Sequence, residues 1–137
     1  MRQLSLNKLM KQLFAAIALM TATTVMSQAQ EAYPKGPIKI VVPYSAGAVT
    51  DALARIVAMG LNESFGVSVV VENKVGAGGT IGTEQVAFSP PDGYTLLLGF
   101  DGTMVINPHV FPKTGFDTLK DFAPIGKIGD AILILVA

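Results

Sequence analysis

The chain has 137 residues, half of them hydrophobic and only 15% charged, which is enough apolar material for one packed domain and rules out a disordered tail. Ten basic residues balance ten acidic ones, and no basic run follows residue 11, so the electrostatic footprint of a nucleic-acid binder is missing. Cysteine is absent and His109 is the single histidine, which excludes disulfides, thiolate zinc sites, a cysteine nucleophile, a lipidated cysteine and a multi-histidine metal centre.

Arg2, Lys8 and Lys11 precede an apolar run from Leu13 to Met26, softened by Thr21, Thr23 and Thr24. Ser27-Gln28-Ala29 then sets small residues at the positions a signal peptidase reads. The run is shorter than the ~20 residues a bilayer-spanning helix needs. The pattern therefore predicts a signal peptide over residues 1–29, cleaved after Ala29, rather than a membrane anchor. Removing its three basic residues from ten leaves seven against ten acidic ones, so residues 30–137 carry a net charge of −3. The predicted destination lies outside the cytoplasm.

Tyr33-Pro34-Lys35-Gly36-Pro37 is a stiff, extended entry, because proline fixes its own φ and keeps its predecessor out of the helical region. Ile38–Val42 is nearly all apolar, as a parallel strand covered on both faces would be. A turn of small residues follows, and a helix is predicted from Val49 to Ser64, with Leu53, Ile56, Val57, Gly60 and Leu61 on one face. Thr50 or Asp51 can cap its first turn, and Gly66 ends it. Val67–Glu72 reads as the second strand, followed by a glycine-rich loop over 73–79 and a short helix over Thr80–Phe88. Asp92-Gly93 turns the chain into a third strand, Tyr94–Gly99. A helical segment near Thr103–Asn107 is predicted to stop at Pro108, residues 112–130 are mostly loop, and Ala131–Ala137 is a last apolar strand. This alternation predicts an α/β fold with a parallel sheet and right-handed crossovers.

The stretch from Ile38 to Asp51 carries the clearest chemical suggestion. A strand that ends in a turn and feeds a helix offers free backbone N–H groups at the carboxyl edge of a sheet, where an anion or carboxylate can be held. Nucleotide readings of the glycine loop fail. From Gly76, a G-x-G-x-x-G pattern needs glycine at Ile81, and there is no Gly-Lys-Ser/Thr. Those glycines read as positive-φ and close-packing positions, with ligand contact through backbone N–H as the alternative. Ser45 lies after a strand but outside a G-x-S-x-G elbow, and the sole candidate base is His109, next to Pro108. Asp51 reads as a helix N-terminal charge before a catalytic carboxylate, and Glu72 as a partner of Lys74. No carboxylate pair stands at a spacing suited to acid–base work, so catalysis has little support.

Several segments in register resemble one known family. They are Val42-Pro43-Tyr44 with Gly47 and Asp51; Val71-Glu72-Asn73-Lys74 with Gly76-Ala77-Gly78-Gly79 and Ile81-Gly82; Pro91-Asp92-Gly93-Tyr94-Thr95-Leu96-Leu97-Leu98; Gly102-Thr103 with Ile106-Asn107-Pro108; and Asp121-Phe122-Ala123-Pro124-Ile125. Together they resemble the Bug/TctC family, the extracytoplasmic solute receptors of tripartite tricarboxylate transporters. The resemblance spans residues 30–137 and implies a two-lobed fold of the periplasmic-binding-protein type II kind. On that reading these residues are the N-terminal part of lobe 1, ending at the crossover to lobe 2. It further implies a location in the Gram-negative periplasm, a small carboxylate-bearing solute as ligand, a transporter membrane subunit as partner and no cofactor. In the family the turns after the first and third strands hold one ligand carboxylate. Here those turns are Tyr44, Ser45, Ala46, Gly47, Ala48 and Asp51, and Phe100, Asp101, Gly102 and Thr103. Backbone N–H groups and the Thr103 hydroxyl are the expected donors. The sequence departs from the family pattern where Ala48 replaces a usual glycine and where Phe100-Asp101 replaces small hydroxylated residues. Two other readings stand beside the receptor: a truncated remnant that binds nothing, and a hydrolase built on Ser45 and His109.

Overall fold

A β-branched strand with almost no polar residue needs cover on both faces and a partner on each edge. The computed structural model, which describes residues 33–111 and 113–130, gives the first strand all of these. Among the described residues the sheet has three parallel strands in the order β2-β1-β3: β1 is Ile38–Val42, β2 is Val69–Asn73 and β3 is Thr95–Leu97. Ile38 lies opposite Val69, and Lys39 opposite Thr95. Helix α1 (Val49–Phe65) makes the crossover from β1 to β2. A 3-10 turn (Ala77–Gly79) leads into α2 (Thr80–Ala87), which carries the chain from β2 to β3. The parallel α/β class read from the sequence is the class observed. Residues 113–130 form turns and extended loop, as expected. The predicted signal peptide and the predicted last strand lie outside the described residues.

One face of β1 packs under α1. Ile40, Val42, Ala54, Ala58 and Leu98 form the buried core, with Tyr44, Val57, Leu61, Val69, Val71 and Leu96 against it. The helix face differs from the one periodicity suggested. Ala54 and Ala58 point at the sheet, while Ile56 is 60% exposed. Two alanines one turn apart let the helix lie close on the strands. A helix seated on its bulkier face would stand farther off and leave β1 less well covered. Gly66 ends the helix as predicted, with a left-handed φ of 68° and its N–H donating to the Asn62 carbonyl at 2.9 Å.

The other face of β1 is closed by the glycine loop and α2. A Cβ at Gly82 would stand 2.8 Å from the Lys74 carbonyl oxygen and 3.0 Å from Pro43 Cα. Gly79 has a φ of 94°, and its Cβ would collide with Thr103 Cγ2. These glycines therefore act as the packing reading of the loop proposed.

Pro108 does not stop the third helical segment. A π-turn over Gly102–Ile106 runs directly into α3 (Asn107–Val110), whose first turn contains the proline. Proline is tolerated in a first helical turn because the N–H it lacks has no partner there. The wide turn also changes the bonding, with the Asn107 N–H donating to the Gly102 carbonyl five residues back. Met104, four residues before Pro108, would be deprived of a donor in a regular helix. Its carbonyl instead accepts from Thr118 Oγ1 at 2.9 Å.

The packing at Gly82 makes a direct prediction. Its neighbours are backbone atoms and the Cβ of the Pro43 ring, none of which can swing aside, so Gly82→Ala should cost about 1–3 kcal/mol of stability by overpacking. Chemical denaturation reads this, and a variant as stable as the parent would show that α2 can back away from β1.

Candidate functional site

Strand order decides where a site can form. From β1 the chain leaves to one face of the sheet through α1. From β3 it leaves to the opposite face, where the π-turn packs on the 3-10 turn. Adjacent parallel strands with such diverging exits open a crevice at their carboxyl ends. The turns after β1 and β3 border that crevice, and they are the two turns singled out in the sequence.

The first turn, Tyr44–Ala48, is shaped by Asp51. This carboxylate is 3% exposed. Its Oδ2 accepts from the Gly47 N–H at 2.9 Å and from Arg55 Nε at 3.0 Å, and its Oδ1 accepts from Asn73 Nδ2 at 3.0 Å. The same Asn73 amide donates to the Tyr44 carbonyl at 3.0 Å. Asp51 thus reaches back from the first turn of α1 as the acid of a capping box does, but to the residue before the N-cap. The N-cap itself is Ala48, which supplies no side-chain hydrogen bond. The Arg55 guanidinium, the Gly47 N–H and the Asn73 amide together pull the Asp51 carboxyl down to about 2. Thr50, the alternative cap, does not act as one. Its hydroxyl is buried without a partner among the described residues.

Tyr44 joins the first turn to the second. Its ring meets Phe100 edge to face, with centroids 5.9 Å apart. Its hydroxyl lies against Gly102, 3.4 Å from where a Cβ there would stand, and within the influence of the Thr103 side chain. Burial raises the phenol pKa above its ordinary value; the Thr103 side chain works against this and the Asp101 charge adds to it. Thr103 is fully buried, and its hydroxyl donates to the Phe100 carbonyl at 2.9 Å. Asp101 is exposed, with Oδ1 accepting from the Gly102 N–H at 2.9 Å. Ser45, Ala46 and Gly47 are exposed at the tip of the first turn.

The structure therefore brings the two predicted turns together through Tyr44: Ser45, Ala46, Gly47 and Asp101 are exposed, Tyr44, Ala48, Phe100 and Gly102 are half-buried, and Asp51 and Thr103 are buried behind them. Two asparagines have positioning roles that sequence reasoning did not assign. Asn73 ties the first turn to the end of β2. Asn107, 8% exposed, donates to the Gly78 carbonyl at 2.9 Å and to Thr80 Oγ1 at 3.2 Å, fixing the glycine loop. The available signal was an asparagine at a strand end and another before a proline. Two open grooves, of about 450 Å³ beside Met59 and Asn62 and about 550 Å³ over Lys39 and Thr95, lie away from both turns. Ser45 and His109 are both exposed, and no hydrogen bond joins them among the described residues.

The model of the family described as "Tripartite tricarboxylate transporter family receptor" matches residues 53–137. Protein BugT of Bordetella pertussis (strain Tohama I) is 38% identical over 130 residues, covering 93% of this chain and 40% of BugT. MatC from Rhodopseudomonas palustris, solved with bound malate, superposes with a TM-score of 0.67 at 35% identity, over 70% of this chain and 33% of MatC. Another protein of that organism, solved with adipate, gives 0.62 at 38% identity, over 64% of this chain and 29% of that one. The chain thus spans well under half the length of the relatives it matches.

The Asp51 knot yields two expectations. Asn73→Ala removes donors from two acceptors and should cost about 2 kcal/mol of stability, read by denaturant titration. A carboxyl whose folded pKa lies near 2, against ~3.9 when unfolded, stabilises the fold above the higher value and loses that contribution as pH falls through the lower one. Asp51→Asn should therefore be less stable than the parent at pH 7, with the gap narrowing from about pH 4 towards 2. A gap that stays constant across that window would refute the assignment.

Proposed function

Since this chain belongs to the receptor family of tripartite tricarboxylate transporters, we propose that it forms one wall of a periplasmic solute receptor that holds a small organic carboxylate for delivery to such a transporter. The family is one of receptors rather than enzymes, and the Ser45–His109 hydrolase reading falls with that. The observation that carries the proposal is the joining of the Tyr44–Ala48 and Phe100–Thr103 turns by the Tyr44 side chain at the switch point of the sheet.

The donors proposed for the carboxylate are the backbone N–H groups at the uncapped head of α1 and those of the first turn other than Gly47 and Ala48, which serve Asp51 and the Ser45 carbonyl, with the Tyr44 hydroxyl beside them. The buried, unpartnered Thr50 hydroxyl stands in that same first helical turn. Asp51 is assigned the shaping of the turn, and Thr103 the placing of Tyr44. The neighbouring cations are already engaged, Arg55 with Asp51 at 3.0 Å and Lys74 with Glu72 at 3.1 Å. Such a wall recognises a carboxylate through oriented dipoles instead of a counter-ion. The malate and adipate seen in the two solved relatives are small dicarboxylates, which supports this ligand class.

Export by a signal peptide cleaved after Ala29, a periplasmic location and docking to a transporter membrane subunit belong to the same proposal. Among the described residues no helix is long and apolar enough to cross a membrane. The reading requires no cofactor or metal.

A thermal-shift and calorimetric screen of malate, succinate, adipate and citrate against the full-length protein tests it. At least one acid should bind saturably and raise the melting temperature, and Tyr44→Phe should weaken that acid by roughly fivefold to tenfold, the worth of one hydrogen bond. A protein whose melting temperature responds to none of these acids would overturn the proposal.

A further inference from the structure

The turn after β3 carries something that a wall built only for carboxylates does not need, namely an exposed carboxylate of its own. Asp101 Oδ1 accepts from the Gly102 N–H at 2.9 Å, so the side chain already fills a backbone donor that a ligand carboxylate would use. Asp101 has no cationic partner among the described residues, and its charge is felt at the Tyr44 hydroxyl. Arg55 and Lys74 are committed to Asp51 and Glu72. The wall is therefore divided. The Tyr44–Ala48 turn is the one proposed to supply donors, and the neighbouring turn carries an exposed negative charge close enough to act on Tyr44. A second ligand carboxylate set against Asp101 would meet like charge, and a ligand that covered Asp101 without pairing it would strand a desolvated anion.

We propose that Asp101 makes the site selective for acids that also carry an ammonium group, with the ligand carboxylate at the Tyr44–Ala48 turn and the ammonium at Asp101 Oδ2. This rests on the carboxylate-receptor reading given above and adds to it the class of substrate. Asp101 acts here as a specificity residue that touches the ligand.

The test is calorimetric titration of the full-length protein with two pairs of compounds that differ by the ammonium group, glutamate with glutarate and 5-aminovalerate with valerate. The parent protein should bind the ammonium-bearing member of a pair at least tenfold more tightly. Asp101→Asn keeps an acceptor for the Gly102 N–H, so the turn should hold its shape while the preference disappears, and Asp101→Glu should retain it. Circular dichroism melts of each variant identify any loss caused by unfolding. Equal or tighter binding of the plain acid by the parent, or an unchanged preference in Asp101→Asn, overturns the inference and leaves the carboxylate reading standing. Binding of neither member of either pair, nor of any plain dicarboxylate, overturns both.

Discussion

The geometry of the crevice depends on one buried carboxylate. Asp51 gathers a backbone N–H from the turn before it, a guanidinium from the next turn of its own helix and an amide from the end of the neighbouring strand. A charge taken out of water has to find such partners, and here the partners come from three separate stretches of chain. Satisfying Asp51 therefore fixes the turn, the helix and β2 relative to one another. The Asn73 amide extends the same network to the Tyr44 carbonyl. Ala48 supplies no side-chain cap to the head of α1, and the turn before it is held through the Gly47 N–H by Asp51.

A second constraint is distance. Gly79 and Gly82 let the glycine loop and α2 come within backbone contact of Pro43, and Gly79 also receives the Thr103 methyl. The π-turn that carries Thr103 is thereby drawn onto the same spot, and Asn107 locks the loop from the far side. Thr103 sits at the meeting point, fully buried, with its hydroxyl donating to the Phe100 carbonyl. A change at any of these contacts is transmitted to the Tyr44 ring, which spans the two turns. The glycines contribute to the site by what they permit others to approach.

Much of this was legible in the sequence because it is written in local chemistry. The run Ile38–Val42 announced a doubly covered parallel strand, Gly66 announced a helix end, and the small residues after Pro43 announced the turn between β1 and α1. The failures have a common cause. Apolar periodicity placed Ile56 inward, but a helix seats itself by closeness of approach, and Ala54 and Ala58 won that contest. Pro108 reads as a breaker only when a regular α-turn precedes it, and a π-turn removes the conflict. Asn73 and Asn107 could not be assigned from sequence because their amides serve carbonyls 29 residues away in each case. Such partnerships are set by topology and not by neighbours along the chain.

A wall that recognises a carboxylate through peptide dipoles has a particular character. It fixes one end of an acid and is indifferent to the rest, so it suits a receptor family whose solved relatives hold acids as different as malate and adipate. Discrimination must then come from side chains beside the donor turn rather than from the donors themselves. Asp101 is in that position. It does not take part in holding the Tyr44–Ala48 turn together, and its own turn is held by Thr103 and by the Tyr44–Phe100 contact. Within its own turn Asp101 serves the Gly102 N–H through Oδ1, which leaves Oδ2 for a ligand. On the proposed reading, recognition of the acid group and choice among acids are separate tasks, carried by different turns.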